Sequence, residues 1–364
     1  MKKLFILNLV SFLYVMPTFS QIRTSVKMGD YPLEKRRMIN IPDILGYTVL
    51  KCDFHMHTLN SDGEVTAATR VQEAWEEGLD AISITDHIAH KKGAKDENQG
   101  YDLGRKDATE KDILLIKGGE ITFPLNPGPG HANALFLQDV NKLQTDDWRE
   151  TFSEAKKQGA FIFWNHPGWA VDSIRWYEEQ SELYNNGLLN GIEVFNEFEF
   201  YPEAVNWCLA KNLTFISNSD VHSAIDRLYD FNIVKHRPMT LVLSSEKTEK
   251  ALKEALLAGR TLIYAYNLIA GKEEYVKALY DASVKQVTKK PLDSGKTLFI
   301  FSNESDIDYI LKRQDIGKIP EDIVIFGRST VNVMLENEDI KPSVYVVENV
   351  FISGYDNLHV TLFQ

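Results

Sequence analysis

The chain lacks most of the devices by which proteins handle phosphate or acyl groups with side chains alone. It has no Gly-rich P-loop and no Gly-x-Ser-x-Gly elbow. Neither phosphate cradling by a nucleotide loop nor attack by a serine on that turn is therefore indicated. Basic residues are in deficit, 40 Lys and Arg against 52 Asp and Glu, for a net charge of −12. That balance argues against a nucleic-acid backbone as the main partner, because phosphate chains want a basic surface. A local site built from metal ions would escape this count. Cysteine is nearly absent. Cys52 and Cys208 sit in apolar settings, read as small buried hydrophobes, and form no disulfide framework. Internal repeats and low-complexity tracts are also missing.

What remains describes a globular protein. The 364 residues, 44% hydrophobic and 25% charged, can bury a substantial core. Met1-Lys2-Lys3, the apolar run Leu4–Met16 and the segment Pro17–Gln21 have the three parts of a secretory signal. The run is too short to span a bilayer comfortably. Residues 1–20 are thus expected to be a signal peptide, with the mature protein exported, periplasmic or secreted. With no cysteine near the expected cleavage point, no membrane anchor is expected. Residues 21–46 read as a lead-in segment.

From Tyr47 short apolar runs alternate with amphipathic stretches. The runs are Thr48–His57, Ala81–His87, Ile113–Ile121, His131–Leu137, Ala160–His166, Gly191–Phe195, Leu213–Asp220 and Met239–Leu243, with Arg260–Tyr266 as one more. Helical stretches fall at Glu64–Gly78, Trp148–Gln158, Ile174–Leu183, Glu203–Asn212 and Lys247–Ala258. In the first, Val65, Ala68, Val71, Ala74 and Trp75 mark one face, and Ser61–Glu64 can form a capping box. Such alternation predicts a parallel α/β barrel over residues 47–278. After about residue 275 the rhythm changes to short strands and turns, so residues 288–364 are expected to form a small β-rich, sandwich-like domain.

In a parallel barrel the strand C-termini line the active face. His55 and His57, at i and i+2, project from one strand face and can share a metal ion. If they do, further ligands should stand at the ends of the other runs. Thr85-Asp86-His87, Gly119-Glu120, His131, Asn165-His166 and Asp220-Val221-His222 all do so. Of nine histidines, six fall at these edges; His90, His236 and His359 do not. His359, alternating with apolar residues, is expected to be exposed or structural.

His55-x-His57-Thr58 with Ser61-Asp62-Gly63, Thr85-Asp86-His87, Gly119-Glu120, His131, His166-Pro167 and Ser219-Asp220-Val221-His222 resemble the motif regions of the PHP (polymerase and histidinol phosphatase) family. The resemblance covers roughly residues 47–275. It implies a distorted (βα)7 TIM-like barrel with a two- or three-metal site that hydrolyses phosphate esters through a hydroxide held between metals. The segment Arg237–Thr240, the helix before Gly259 and the β-rich tail resemble secreted phosphodiesterases acting on small organophosphates. By this resemblance His55, His57, Glu120 and Asp220 hold a first ion; Glu120 bridges to a second, completed by His131 and His166; and Asp62, His87 and His222 hold a third.

Nitrogen-rich ligands with a few carboxylates suit Zn, Mn or Fe. Asp220 is a candidate for protonating the leaving group; His222 would be tied up as a ligand. Arg227 is a candidate fork for a phosphate oxygen, with Arg175 behind it. Asp86 reads as a carboxylate that orients a ligand imidazole or as a turn residue. Asn196 and Glu197 are candidates for the pocket wall, and Trp164, Trp169 and Trp176 for an apolar wall that receives an ester group. The expected substrate is a small-molecule phosphodiester. A phosphomonoesterase is the alternative within the fold, and a metal-containing binding module without turnover the alternative outside it.

Overall fold

The alternating runs fold into a mixed sheet with helices packed against it. The computed structural model describes residues 35–126 and 128–364. The expected signal peptide and the lead-in before Lys35 lie outside the described residues. Residues Arg36–Gln364 form one compact unit. No helix among the described residues is long and apolar enough to cross a membrane.

Strands β1 (Thr48–Asp53), β2 (Ala81–Ile84) and β3 (Leu114–Leu125) are parallel neighbours. β4 (Pro129–Leu135) turns back between β3 and β5 (Phe161–Trp164). β6 (Gly191–Asn196) then runs parallel to β5, carries the two-residue β7 (Glu199–Phe200), and pairs in parallel with β8 (Thr214–Asn218). On the far side of β1, β9 (Met239–Ser244) and β10 (Thr261–Ala265) are antiparallel. The sheet is therefore mixed rather than all parallel. Every residue of β2, β5, β6 and β8 is buried, as continuous apolar strands covered on both faces should be.

Side-chain hydroxyls join β8 to β9 and β10. Thr240 Oγ1 accepts from Ser217 N and donates to Ser217 O, both at 2.9 Å, and Thr261 Oγ1 donates to Phe215 O at 2.8 Å. β1, β2, β5 and β8 end just short of His55, His87, His166 and Asp220, which places those residues in the loops beyond, whereas Glu120 and His131 lie within β3 and β4.

The helices are α1 (Ala67–Glu76), α2 (Gln99–Glu110), α3 (Trp148–Lys157), α4 (Glu178–Asn185), α5 (Pro202–Lys211), the short α6 (Ile225–Leu228), α7 (Glu249–Leu257) and α8 (Glu273–Ser283). Side-chain caps start several of them. Thr66 accepts from Thr69 N, Asp147 from Arg149 N and Thr248 from Ala251 N. The expected capping box at Ser61–Glu64 is therefore corrected: α1 starts later, on Thr66. Its buried face is Ala67, Arg70, Val71, Glu73 and Ala74, not the face through Ala68. Helix α2 was not legible as a helix because its buried face is Gly100, Gly104 and Ala108, small residues with little apolar signal.

After β11 (Leu268–Gly271) and α8 come β12 (Val284–Pro291), β13 (Lys296–Asn303), β14 (Tyr309–Arg313), β15 (Asp322–Ile325), β16 (Ser329–Glu336), β17 (Ser343–Phe351) and β18 (Asn357–Leu362). β17 pairs with β11 in parallel, so the tail strands extend the central sheet, and β12-β13-β16 form a second, three-stranded sheet. Tail residues such as Phe299, Tyr309 and Tyr345 share a hydrophobic cluster with Met239, Leu241 and Tyr264 of β9 and β10. Cys52 and Cys208 are buried and unbridged. His359 is exposed on β18.

His236 is buried, with its ring 3.8 Å from that of Tyr264 and Nδ1 bonded to Arg237 O at 2.7 Å. Burial pushes its pKa from 6.5 down to about 4. Between those values the unfolded chain binds the proton and the folded one does not, so stability falls as the pH drops through this window. The shift is worth about 3 kcal/mol at its limit. His236→Asn, which keeps a donor near the Nδ1 position, should lose less Tm than the unmodified chain between pH 7 and pH 4.5. Equal losses in thermal melts of the two proteins would contradict this.

Candidate metal centre

The loop after β1 carries His55, His57 and Asp62. Gly63 makes its tight return possible, because a Cβ there would stand 2.5 Å from the backbone carbon of His57. His87 follows β2, Glu120 lies within β3, His131 within β4, His166 follows β5, and Asp220 and His222 follow β8. These nine residues make up four overlapping groups whose ligand atoms lie within 4.8 Å of one another: His57, Asp62, His87 and His222; His55, His166 and Asp220; His55, His57 and Glu120; and His87, Glu120 and His131. The fold thus brings together every metal-ligating residue expected from the sequence. The grouping differs in detail, since His87 stands with Glu120 and His131, and His166 with His55 and Asp220.

Glu120 and Asp220 are the hubs. His131 Nδ1 lies 3.0 Å from Glu120 Oε1, and His87 Nδ1 lies 2.7 Å from Oε2. His55 Nε2 and His57 Nε2 approach Asp220 Oδ1 to 3.1 and 3.2 Å. Asp62 Oδ2 sits 3.3 Å from His87 Nε2 and 3.5 Å from His222 Nε2. His55 Nε2, His57 Nε2, Glu120 Oε2 and Asp220 Oδ1 are all buried without a hydrogen-bond partner. Orphaned buried polar atoms are rare in proteins, and here they converge. A divalent cation fits this donor set of imidazoles and carboxylates.

The support around the ligands is also built from polar groups. His55 Nδ1 is 2.9 Å from Glu193 Oε1, which leaves Nε2 facing the site. Glu193 also accepts from Asn218 Nδ2 at 2.8 Å, His166 N at 2.7 Å and Asn196 Nδ2 at 2.9 Å. Sequence reasoning missed Glu193; its signal is a lone acid inside the buried run Gly191–Asn196. Arg70, fully buried on α1, donates to the carbonyls of His57, Val221, His222 and Ser223 at 2.7–3.1 Å. It clamps the first and last ligand loops together. Asp53 accepts from His55 N, Ser219 N and Ser219 Oγ, and its charge meets Arg237 Nη1 at 3.0 Å.

Asp86 does not orient an imidazole. It accepts from Thr58 N at 2.6 Å, Thr58 Oγ1 at 2.8 Å and Ser61 Oγ at 2.8 Å, and so holds the His57–Asp62 loop. Asn196 touches Asp220 Oδ2 at 3.3 Å. Arg227 is the expected site residue that the fold leaves outside. Its side chain is exposed and paired with exposed Glu64 at 3.1 Å, and it stands in none of the ligand groups. Arg175 stacks on Tyr177 instead. Trp164 and Trp169 line a cavity beside His166, whereas Trp176 packs into the core against Trp164 and Trp207.

Burial opposes ionisation of Glu120, Asp220 and Asp62, yet the surrounding imidazoles outweigh it. His55, His131 and His166 hold Glu120 well below the carboxylate range, His55, His57 and His166 do so for Asp220, and His87, His57 and His222 lower Asp62. Reciprocally, burial is overcome at His55 by Asp220, Glu193 and Glu120, at His87 by Glu120 and Asp62, and at His166 by Glu120 and Asp220; all three are raised. At His57 burial wins and lowers the pKa. Two of the loops are also strained, since His166 and Asp220 have φ of 26° and 51°.

Residues 53–230 match the PHP domain. A crystal structure of a two-domain protein from Bacteroides vulgatus ATCC 8482, described as containing a predicted PHP-like metal-dependent phosphoesterase, is 39% identical. The match covers 92% of this chain and 100% of that one, with a TM-score of 0.85. The chain belongs to the PHP family. A candidate metal-dependent phosphoesterase from Bifidobacterium adolescentis ATCC 15703 resembles this PHP protein more loosely, at 17% identity and a TM-score of 0.40 over 47% of this chain and 87% of that one. Endonuclease Q, bound to a duplex with an abasic lesion, matches at 13% and 0.43 over 62% and 60%. Neither is near enough to bear on function. No curated protein sequence matches the chain.

Glu193 gives this PHP site a direct test. Glu193→Gln replaces one acceptor oxygen by a donor facing N–H groups, and should weaken metal binding about 10–100-fold in competition with a chelator. Unchanged affinity would show that His55 needs no such partner.

Proposed function

We propose that the protein is an exported metal-dependent phosphoesterase that hydrolyses phosphodiesters of small molecules in a trinuclear site. The observation that carries this reading is the convergence of nine ligand side chains on one edge of the sheet, four of their atoms buried and unpartnered. The proposed architecture is a distorted (βα)7 barrel over residues 47–278, followed by a β-rich domain over 288–364. The hydroxyl stitching of β8 to β9 and β10 supports closure. Export rests on the charged start and apolar run of residues 1–20, and the diester on the likeness of Arg237–Thr240 and the tail to secreted diesterases. Net negative charge favours a small molecule over nucleic acid.

His55, His57, Glu120 and Asp220 would hold one ion, His131 and His166 with Glu120 a second, and Asp62, His87 and His222 a third. Bound there, Zn, Mn or Fe supplies Lewis acidity toward phosphate oxygens and lowers the pKa of water. Around that chemistry Glu193 and Thr122 fix imidazoles; His87 Nδ1 is 2.7 Å from Thr122 Oγ1. Asp220 is held ionised, and His222 Nδ1 donates to Asp220 O at 2.8 Å. Both are suited to binding cations and to positioning, which leaves solvent to protonate the leaving group.

Purified protein with Mn or Zn should hydrolyse bis(4-nitrophenyl) phosphate. His55→Ala should lose at least about 100-fold of that activity together with bound metal. A His55→Ala protein that keeps both would overturn the site. Arg227→Ala should stay within about threefold of the unmodified kcat/KM, as expected for an exposed ion pair. Faster turnover of 4-nitrophenyl phosphate than of the diester would favour a phosphomonoesterase.

A further inference from the structure

A cavity of about 360 Å³ opens directly beside the ligand cluster. It shares His131 and His166 with the cluster, and Phe123, Leu125, Trp164 and Trp169 supply the large apolar side chains of its remaining wall. Trp169 is 60% exposed. Its ring stands 5.3 Å from that of His131 and 5.5 Å from that of His166, so a large flat apolar face is held over two ligand imidazoles. A single exposed tryptophan is unremarkable, but one fixed against two site residues at a cavity mouth is an unfilled stacking surface.

The wall also carries a donor. Trp164 lines the cavity, is stacked on Trp207 at 5.7 Å, and has its Nε1 beside Gly130, another residue of the cavity wall. The backbone keeps this donor clear. Gly130, with φ +70°, lies beside it, and a side chain there would begin 3.7 Å from Trp164 Nε1 and 3.3 Å from Leu125. The neighbouring Asn165 is not free to serve, since its Nδ2 is spent on Glu120 Oε1 and Asn133 Oδ1. The cavity therefore offers a flat apolar face, further apolar wall and one indole N–H, next to the place where the cluster would hold a phosphate.

We propose that this cavity is a subsite for one ester arm of the substrate, and that the arm carries a planar, uncharged aromatic group with a hydrogen-bond acceptor. The ring stacks on Trp169, and Trp164 Nε1 donates to the acceptor. A volume of this size lies at the small end of ligand pockets, enough for a ring and a short linker. An aliphatic or charged arm gains little here, because it neither stacks nor matches the apolar wall. Aromatic stacking of this kind commonly contributes a factor of about ten or more to affinity. The inference rests on the phosphoesterase reading, because that reading places the phosphate at the cluster.

Phenylphosphonate and methylphosphonate separate the two ideas, since neither can be hydrolysed at its P–C bond. Calorimetric titration of the metal-loaded protein should give a Kd about tenfold lower for phenylphosphonate. The same preference should appear when both compete with bis(4-nitrophenyl) phosphate. Trp169→Ala, altered at an exposed position, should bring the two affinities within about twofold, and Trp164→Phe should weaken 4-acetylphenylphosphonate more than phenylphosphonate. Equal binding of the two phosphonates, binding of neither, or a preference that survives Trp169→Ala would overturn the subsite. A phenyl preference in a protein that turns over no ester would instead leave the subsite standing and remove the phosphoesterase reading.

Discussion

Four polar atoms, His55 Nε2, His57 Nε2, Glu120 Oε2 and Asp220 Oδ1, are buried together with no hydrogen bond to any of them. Each such atom ordinarily costs about 1–3 kcal/mol. Together they approach the whole net stability of a typical domain, about 5–15 kcal/mol. The atoms face one another at 3.1–3.5 Å, imidazole nitrogen toward carboxylate oxygen. Cations relieve this cost. The structure is therefore best understood as a scaffold that tolerates this concentration of unpaired groups so that metal ions can complete it.

The tolerance comes from buried charges placed one layer behind. Arg70 is locked by Glu73 and gathers four backbone carbonyls from two ligand loops. Arg237 sits between Glu77 and Asp53, and Asp53 in turn holds backbone N–H groups at both His55 and Ser219. Glu193 collects two side-chain amides, one imidazole and one backbone N–H. Breaking a buried pair of this kind typically costs about 3–5 kcal/mol, so these residues hold the loops rigidly. Rigid loops are what allow His166 and Asp220 to keep left-handed backbone angles.

The ligands other than Asp62 were legible in the sequence because they stand at or next to the end or head of an apolar run, and an apolar run marks a buried strand whose neighbours can be counted. Asp62 rested on its loop beside His57 and on the family resemblance. The supporting layer was far less legible. Arg70 falls on a helix where periodicity assigns charged residues to solvent, yet it points inward with Glu73 and rotates the buried face away from Ala68. Glu193 is a single acid in a strand, and nothing local says that His55 lies against it. Arg227 stands near Asp220 and His222 in the sequence, yet its side chain is exposed and paired with Glu64. The tail strands were visible from their alternation. Their attachment was not, because the pairing of Ile269 with Val350 joins residues far apart in the chain.

The central claim is that the nine side chains hold more than one metal ion at shared carboxylates. Anomalous X-ray scattering from crystals grown with Mn or Zn tests it most directly. The account predicts separate peaks within bonding distance of Glu120 and Asp220, with His55 Nε2 and His57 Nε2 both engaged. A cluster with no anomalous peak, or a peak bound only at the exposed Asp62 while those four buried atoms remain unpartnered, would contradict it.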